Sequence, residues 1–303
     1  MKTHVSTETL KQFVYEECLF NAYYSANVNY YNFIHTSSYK QKLIVYQMGK
    51  VGSTTVWNSL QSLKNVDVYH VHALTQHGLK SVKNYYKKNF HRKRVIPDHL
   101  LESQYLRKQL DKGLGSNNKW KIVTLVRDPI AKNISSFFQK LDPLLAYDYK
   151  EKTNTTEIKD IIKDLTDLFI NKFDRHEKPL KWFNSEIKSV FNIDVFSSNF
   201  PKTQGYEIYQ SDHADLLIVK LEQLNECASE AFNNLLGIRE FALLESNISG
   251  KKTYGNIYRM FLESIILPDS YIEQMYASNY VRHFYSEEEI EAFKAKWRRY
   301  NRN

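Results

Sequence analysis

The sequence predicts an α/β fold with a mainly parallel central sheet flanked by helices. Three observations carry that expectation. Apolar runs recur at residues 43–48, 65–74, 119–129 and 215–224, separated by stretches of helical pattern. The run Ile122 to Val126 is almost wholly apolar, as the buried middle of a parallel sheet requires. Strands separated by helices imply βαβ crossovers rather than hairpins.

The elements follow in chain order. Residues 1–41 are rich in Tyr and Asn, with helical periodicity clearest from Thr7 to Tyr23, and form a helical lead-in packing on a core over 43–300. Residues 43–48 are the first strand and Thr54 to Leu63 the first helix. NVDVYHVHAL (65–74) is the second strand, with Val66, Val68, His70 and His72 on one face by period-two alternation. Residues 78–116 are basic and helical, broken at Pro97. KWKIVTLVRDP (119–129) is the third strand, and Pro129 opens a helix at its first position, where a missing N–H does no harm. Residues 141–200 read as helices and loops, DLLIVKLEQL (215–224) as the fourth strand, and the remainder as helical. Ser286 with three following glutamates is a strong helix start. With no internal repeat or boundary, residues 1–303 are read as one domain.

Composition narrows the function. A formal net charge of +8 favours an anionic partner. Nucleic acid is not expected, because no aromatic-basic RNA-binding motif occurs. Two distant cysteines, Cys18 and Cys227, exclude a disulfide framework and point to a reducing, cytoplasmic setting. No apolar run approaches the ~18 residues of a membrane span, although peripheral membrane contact is compatible.

Two constellations carry chemistry. The first is Gly49-Lys50-Val51-Gly52-Ser53-Thr54-Thr55 between the first strand and first helix. Glycines let backbone approach an anion, and the helix start aims N–H groups at it. The lysine precedes the second glycine, unlike the nucleotide triphosphatase order in which it directly precedes Ser or Thr. The second is Arg127-Asp128-Pro129 at the end of the third strand, with Ser135 eight residues after Arg127. Both lie at the carboxyl edge, where open α/β sheets bind ligands. The plainer readings are an ordinary strand–helix turn and an Arg–Asp pair capping a helix.

Together GKVGSTT and RDPIAKNIS resemble the two phosphate elements of sulfotransferases that use PAPS, 3′-phosphoadenosine 5′-phosphosulfate. KVGST is closest to the carbohydrate sulfotransferases, and NKW (118–120) is similar to bacterial proteins assigned to capsular polysaccharide synthesis. DLLIVKLEQL with LLGI (235–238), NISGKKTYGNIYRMF and NYVRHFYSEEEIEAFKAKW resemble later parts of the same superfamily. The resemblance implies a P-loop NTPase-like sulfotransferase fold and sulfuryl transfer from PAPS to a hydroxyl, with PAP as product and no metal required. Lys50, the N–H groups of Val51 to Thr54, and the hydroxyls of Ser53, Thr54 and Thr55 would hold the 5′-phosphosulfate. Arg127 and Ser135 would hold the 3′-phosphate. Lys251, Lys252 and Tyr254 form either a loop closing over the cofactor or a solvated basic loop.

A histidine suits the general base near neutral pH. His72 is the expected base and His70 the alternate, with His99 and Glu102 behind them. The acceptor is expected to be a glycan or glycolipid hydroxyl, in a pocket built from 75–118 and 140–200. KKNFHRKR (87–94) is either a draw for an acidic acceptor or a solvated helix face. Val56 stands where the superfamily stacks an aromatic on adenine, with Trp57 one step on. A phosphate-loop kinase and a non-catalytic anionic-glycan or nucleotide-binding protein are the alternatives.

Overall fold

The structure is a computed structural model that describes residues 7–35, 40–113, 119–141, 158–238, 241–244 and 255–298. Among these, five strands form one sheet: β1 (Gln41–Tyr46), β2 (Val66–Val71), β3 (Trp120–Val126), β4 (Tyr206–Gln210) and β5 (Ala214–Lys220). Their order is β2-β1-β3-β5-β4, parallel throughout except for β4, which runs antiparallel to β5.

Burial follows position in the sheet. All seven residues of β5 and six of the seven in β3 are buried, because both faces are covered. At the edge, β2 buries only Tyr69 and Val71. The segment expected as the fourth strand is fourth in the parallel order's neighbourhood but fifth along the chain. YEIYQ precedes it as β4, an edge strand whose mixed burial gives it too weak an apolar signal to be read alone.

The helices cover both faces. α1 (Thr7–His35) is a single long helix, so the lead-in periodicity extends well past Tyr23. It packs through Phe20 and Tyr24 onto Phe90 of α3 (Gln76–Lys93), Ile96 of the connection, and Leu100 and Leu101 of α4 (Asp98–Asp111), in a cluster separate from the main core. Lys87 pairs with Glu17 and Lys83 lies 4.3 Å over the Tyr24 ring, so part of the basic run serves to hold α1. The break between α3 and α4 falls at Pro97, as expected. α2 (Ser53–Leu60) follows β1, and α5 (Pro129–Lys140) follows β3 with Pro129 at its first turn.

α6 (Ile158–Lys172) and α7 (Lys178–Trp182) follow, and α7 continues into a π-helical stretch, Phe183–Lys188. α8 (Leu224–Leu236), α9 (Gly255–Ser264), α10 (Asp269–Tyr276), α11 (Asn279–Phe284) and α12 (Glu287–Arg298) complete the chain. Ser286 starts α12 with a capping box: its hydroxyl accepts from Glu289 N, and its own N–H donates to the Glu289 carboxylate. No described helix is long and apolar enough to cross a membrane.

The order 2-1-3 places the first reversal of the chain between β1 and β3. After β1 the chain moves outward to β2, and it then returns past β1 to β3. Loops leaving β1 and β3 therefore diverge, and the crevice between their carboxyl ends is the place where such sheets take ligands.

Candidate functional site

The loop Gln47–Gly52 leaves β1 into that crevice. Gln47 N donates to Val71 O (3.0 Å), extending the β1–β2 pairing by one residue. Gly49, Lys50 and Gly52 all have positive φ, 79°, 64° and 84°. For Lys50 that conformation costs about 1 kcal/mol, so the surroundings must impose it. A Cβ on Gly52 would lie 2.5 Å from Leu221 Cδ1, which restricts the position to glycine twice over. Val51 is buried and anchors the turn. No side chain caps α2, so its first N–H groups face the loop without a competing side-chain acceptor.

The histidines gather beside this loop. His70 Nε2 lies 2.9 Å from Ser53 Oγ, and His72 Nδ1 lies 3.1 Å from Gln47 O. A carbonyl only accepts, so Nδ1 of neutral His72 carries the hydrogen and Nε2 keeps its lone pair. The rings of His70 and His72 meet edge-on at 5.0 Å, and His72 and His99 at 5.3 Å. His99 Nε2 lies 3.2 Å from the Tyr86 hydroxyl. The Glu102 carboxylate accepts from His70 N at 2.6 Å. The structure thus brings together all four base candidates of the sequence.

Burial dominates their titration. It pushes His70 down to about 3 and His99 down to about 4, with neighbouring histidines adding to the effect. His72 is also lowered by burial and by the charge of Lys178, against the hydrogen bond to Gln47 that raises it. Burial raises Glu102 to about 7. These imidazoles are therefore neutral near pH 7, and the same burial weakens them as proton acceptors.

The second junction is held from the C-terminal helices. Arg127 N donates to the Tyr280 hydroxyl, which also lies 3.0 Å from Arg127 O. Asp128 caps α5 by accepting from Ile130 N (3.0 Å), and takes two further bonds from Tyr276 Oη (2.8 Å) and Trp297 Nε1 (3.0 Å). The plainer reading is right for Asp128 but not for Arg127. The Arg127 side chain turns away to donate through Nη1 to Lys50 O at 3.0 Å, across the crevice. The two motifs, far apart in sequence, form one wall.

Other expected residues differ in how far they join this wall. Thr54 is exposed and Thr55 half-buried on the first turn of α2. Ser53 is buried with its hydroxyl directed to His70, so its contact with an anion would be shared with the base. Ser135 is half-buried on α5, and among the described residues no hydrogen bond joins it to Arg127 or the loop. Val56 is fully buried and cannot stack on a ligand. Trp57 stacks on His70 instead (5.9 Å, 27° between planes) and so serves the histidine cluster. Lys251, Lys252 and Tyr254 lie outside the described residues.

Sequence reasoning missed Glu186. From the π-helical stretch its buried carboxylate accepts from Tyr46 Oη, Leu74 N (3.0 Å), Thr75 N (3.1 Å) and Thr75 Oγ1 (2.8 Å). It fixes the turn that follows His72. A π-helical insertion is common at functional sites but has no readable sequence signal. Also missed was Lys132, a buried cation one turn into α5.

Residues 154–286 match a family model described as NKWYS: Putative capsular polysaccharide synthesis protein. No curated protein and no solved structure matches the chain. The match takes in Glu186, Tyr276 and Tyr280 but lies C-terminal to the loop, the histidines and Arg127. Over that stretch the chain is similar to proteins assigned to the making of capsular polysaccharide.

Proposed function

We propose that this protein is a carbohydrate sulfotransferase that moves a sulfuryl group from PAPS to a glycan hydroxyl. The observation that carries the reading is the Arg127–Lys50 contact, which joins a left-handed glycine loop and an arginine at the switch point of the sheet. The capsular polysaccharide match supports a carbohydrate acceptor.

The residues present suit the phosphosulfate end of such a donor. The backbone of Gly49, Lys50 and Gly52 leaves a concave turn, and the uncapped α2 start supplies N–H groups. Lys50, Val51, Gly52, Ser53, Thr54 and Thr55 would hold that end, while Arg127 and Ser135 would hold the 3′-phosphate. PAPS supplies an activated sulfuryl group with a phosphate leaving group. Lys50 and the loop N–H groups offset the charge that grows on that leaving oxygen. His72 Nε2 takes the acceptor proton, and His70, tied to Ser53, stands beside it as the alternate. Asp128, the acid beside Arg127, is committed to Ile130, Tyr276 and Trp297.

The test is transfer of labelled sulfate from PAPS to a glycan extract, alongside calorimetry with PAP. Lys50→Ala and Arg127→Ala are each expected to weaken PAP binding tenfold or more. His72→Ala is expected to lower transfer by about 10²-fold or more with PAP binding intact. Absence of both transfer and PAP binding in the wild type rules the reading out.

A further inference from the structure

A cleft of about 410 Å³ opens among Asn199, Phe200, Lys202, Thr203, Arg282 and His283. That volume falls within the ~300–1,000 Å³ range of small-ligand pockets. Its walls come from two parts of the chain. The turn 199–205 is tied to the end of β5: Lys220 N donates to Gly205 O and Lys220 Nζ to Lys202 O, both at 2.8 Å. Gln223 Nε2 donates to Thr203 O at 3.3 Å. The other wall is α11, whose Phe284 packs on Phe200 (5.1 Å between ring centroids) and on Phe183 (5.2 Å). The cleft therefore lies at the carboxyl edge of the sheet but beside β5, apart from the crevice between β1 and β3. Tyr280, which holds Arg127, belongs to the same helix, so α11 serves both places.

The lining is basic and its polar groups are unspent. Among the described residues, the side chains of Asn199, Lys202, Thr203 and Arg282 form no hydrogen bond or ion pair. His283 is anchored at Nε2 by the Tyr209 hydroxyl (3.3 Å) and meets the Phe196 ring edge-on at 5.1 Å, while its Nδ1 has no hydrogen bond among the described residues. The flanking acids are engaged elsewhere. Asp194, just ahead of Phe196, accepts from Phe196 N (3.1 Å) and pairs with Lys188 (2.6 Å). Glu289 pairs with Lys220 and accepts from Ser286 N (2.8 Å). Glu288 is exposed and forms no ion pair among the described residues. One unpaired charge on an open surface is ordinary, but two cations and an imidazole around one cleft concentrate anions there.

We propose that this cleft is a second binding site, for a saccharide unit that bears an oxyanion: a carboxylate, a sulfate ester or a phosphate ester. Arg282 offers a planar fork and Lys202 a point charge to that group. Asn199 and Thr203 supply hydrogen bonds to the same unit, and buried Phe200 an apolar wall. That the ligand is a saccharide rests on the carbohydrate reading above, in which the cleft holds a unit of the glycan other than the one presented to His72. All six lining residues fall within the matched stretch 154–286, whereas Lys50, His72 and Arg127 fall outside it.

The test uses the full chain and four probes: a uronate-containing oligosaccharide, the same oligosaccharide with its carboxyls reduced to alcohols, and sulfated and phosphorylated neutral oligosaccharides. Calorimetry is expected to give the wild type at least tenfold tighter binding of an acidic probe than of the reduced one, and the tightest acidic probe identifies the group. Lys202→Ala with Arg282→Ala is expected to abolish that preference while keeping the melting temperature and the PAP affinity. Arg282→Ala alone, at an exposed position, is expected to reduce the preference and covers the case in which the double variant fails to fold. Lys163→Ala with Lys172→Ala removes the same charge from exposed positions of α6 and is expected to leave the preference intact. Equal binding of acidic and reduced probes by the wild type overturns the proposal, as does an undiminished preference in the double variant or an equal loss in the α6 variant. A tenfold loss of PAP affinity in the double variant overturns it too, because the anion would then be the nucleotide's own. A wild type that ignores PAP yet shows the preference, lost in the double variant, removes the sulfuryl-transfer reading and leaves this cleft standing.

Discussion

The two strand–helix junctions that face each other across the crevice are built on opposite plans. At β1–α2 the work is done by backbone: left-handed residues at Gly49, Lys50 and Gly52, and an uncapped helix start. At β3–α5 it is done by buried side-chain charge, and there two charges four residues apart are treated differently. Asp128, 2% exposed, accepts from Ile130, Tyr276 and Trp297. Lys132, 1% exposed, is pressed by burial and by the charges of Lys178, Lys140 and Arg175. A buried charge that is fully hydrogen-bonded belongs to the scaffold, whereas one pressed by like charges is a cost the fold carries.

The sharpest way to break this contrast is Asp128→Ala. It strands the buried Tyr276 hydroxyl and Trp297 indole N–H and removes the α5 cap. We expect a loss of roughly 3–5 kcal/mol in urea unfolding, summed from two unsatisfied donors and a cap. Retained stability would mean that Asp128 is not the scaffold charge.

Lys132→Met should do the reverse. With a folded value near 7 against an ordinary 10.5, the unfolded chain binds more protons between those limits. Wild-type stability therefore rises with pH across that window, and the charge penalty is largest at and below pH 7. The variant should gain about 2 kcal/mol or more at pH 7 and lose the slope, measured by melting at pH 6, 8 and 9.5. A destabilised variant with the slope intact would show that Lys132 is compensated.

On the backbone side, Gly52→Ala forces a Cβ against Leu221 at a φ of 84°. A cost of about 1–2 kcal/mol is expected, with a larger relative loss of PAP affinity as the turn shifts. The smallest effect concerns pH. Because His72 is lowered below the ordinary 6.5, transfer should hold steady as pH falls to 6 and decline only below the lowered value. A rate that halves at the ordinary imidazole value would move the base elsewhere.

Much of this was legible in local chemistry. The glycines at 49 and 52, Pro129 at a helix start and the Ser286 capping box are short-range signals, and each element formed where its residues placed it. His70, His72, His99 and Glu102 were also readable as candidates, because histidine at the end of a strand is conspicuous by type. Their mutual contacts were not, since His99 and Glu102 arrive from α4. Edge strand β4 escaped because antiparallel pairing with β5 supplies what its own pattern lacks.

An α/β chain with a glycine turn and an arginine at the carboxyl ends of two buried strands could be read from the residues alone, because strand burial and turn chemistry are written within a few residues. The folded chain was needed to show that Arg127 reaches Lys50 rather than Asp128, and that Val56 is core. It alone placed Glu186 behind His72 and left Lys132 buried among cations. Burial and charge compensation are properties of neighbours brought together by folding, and no window along the chain contains them.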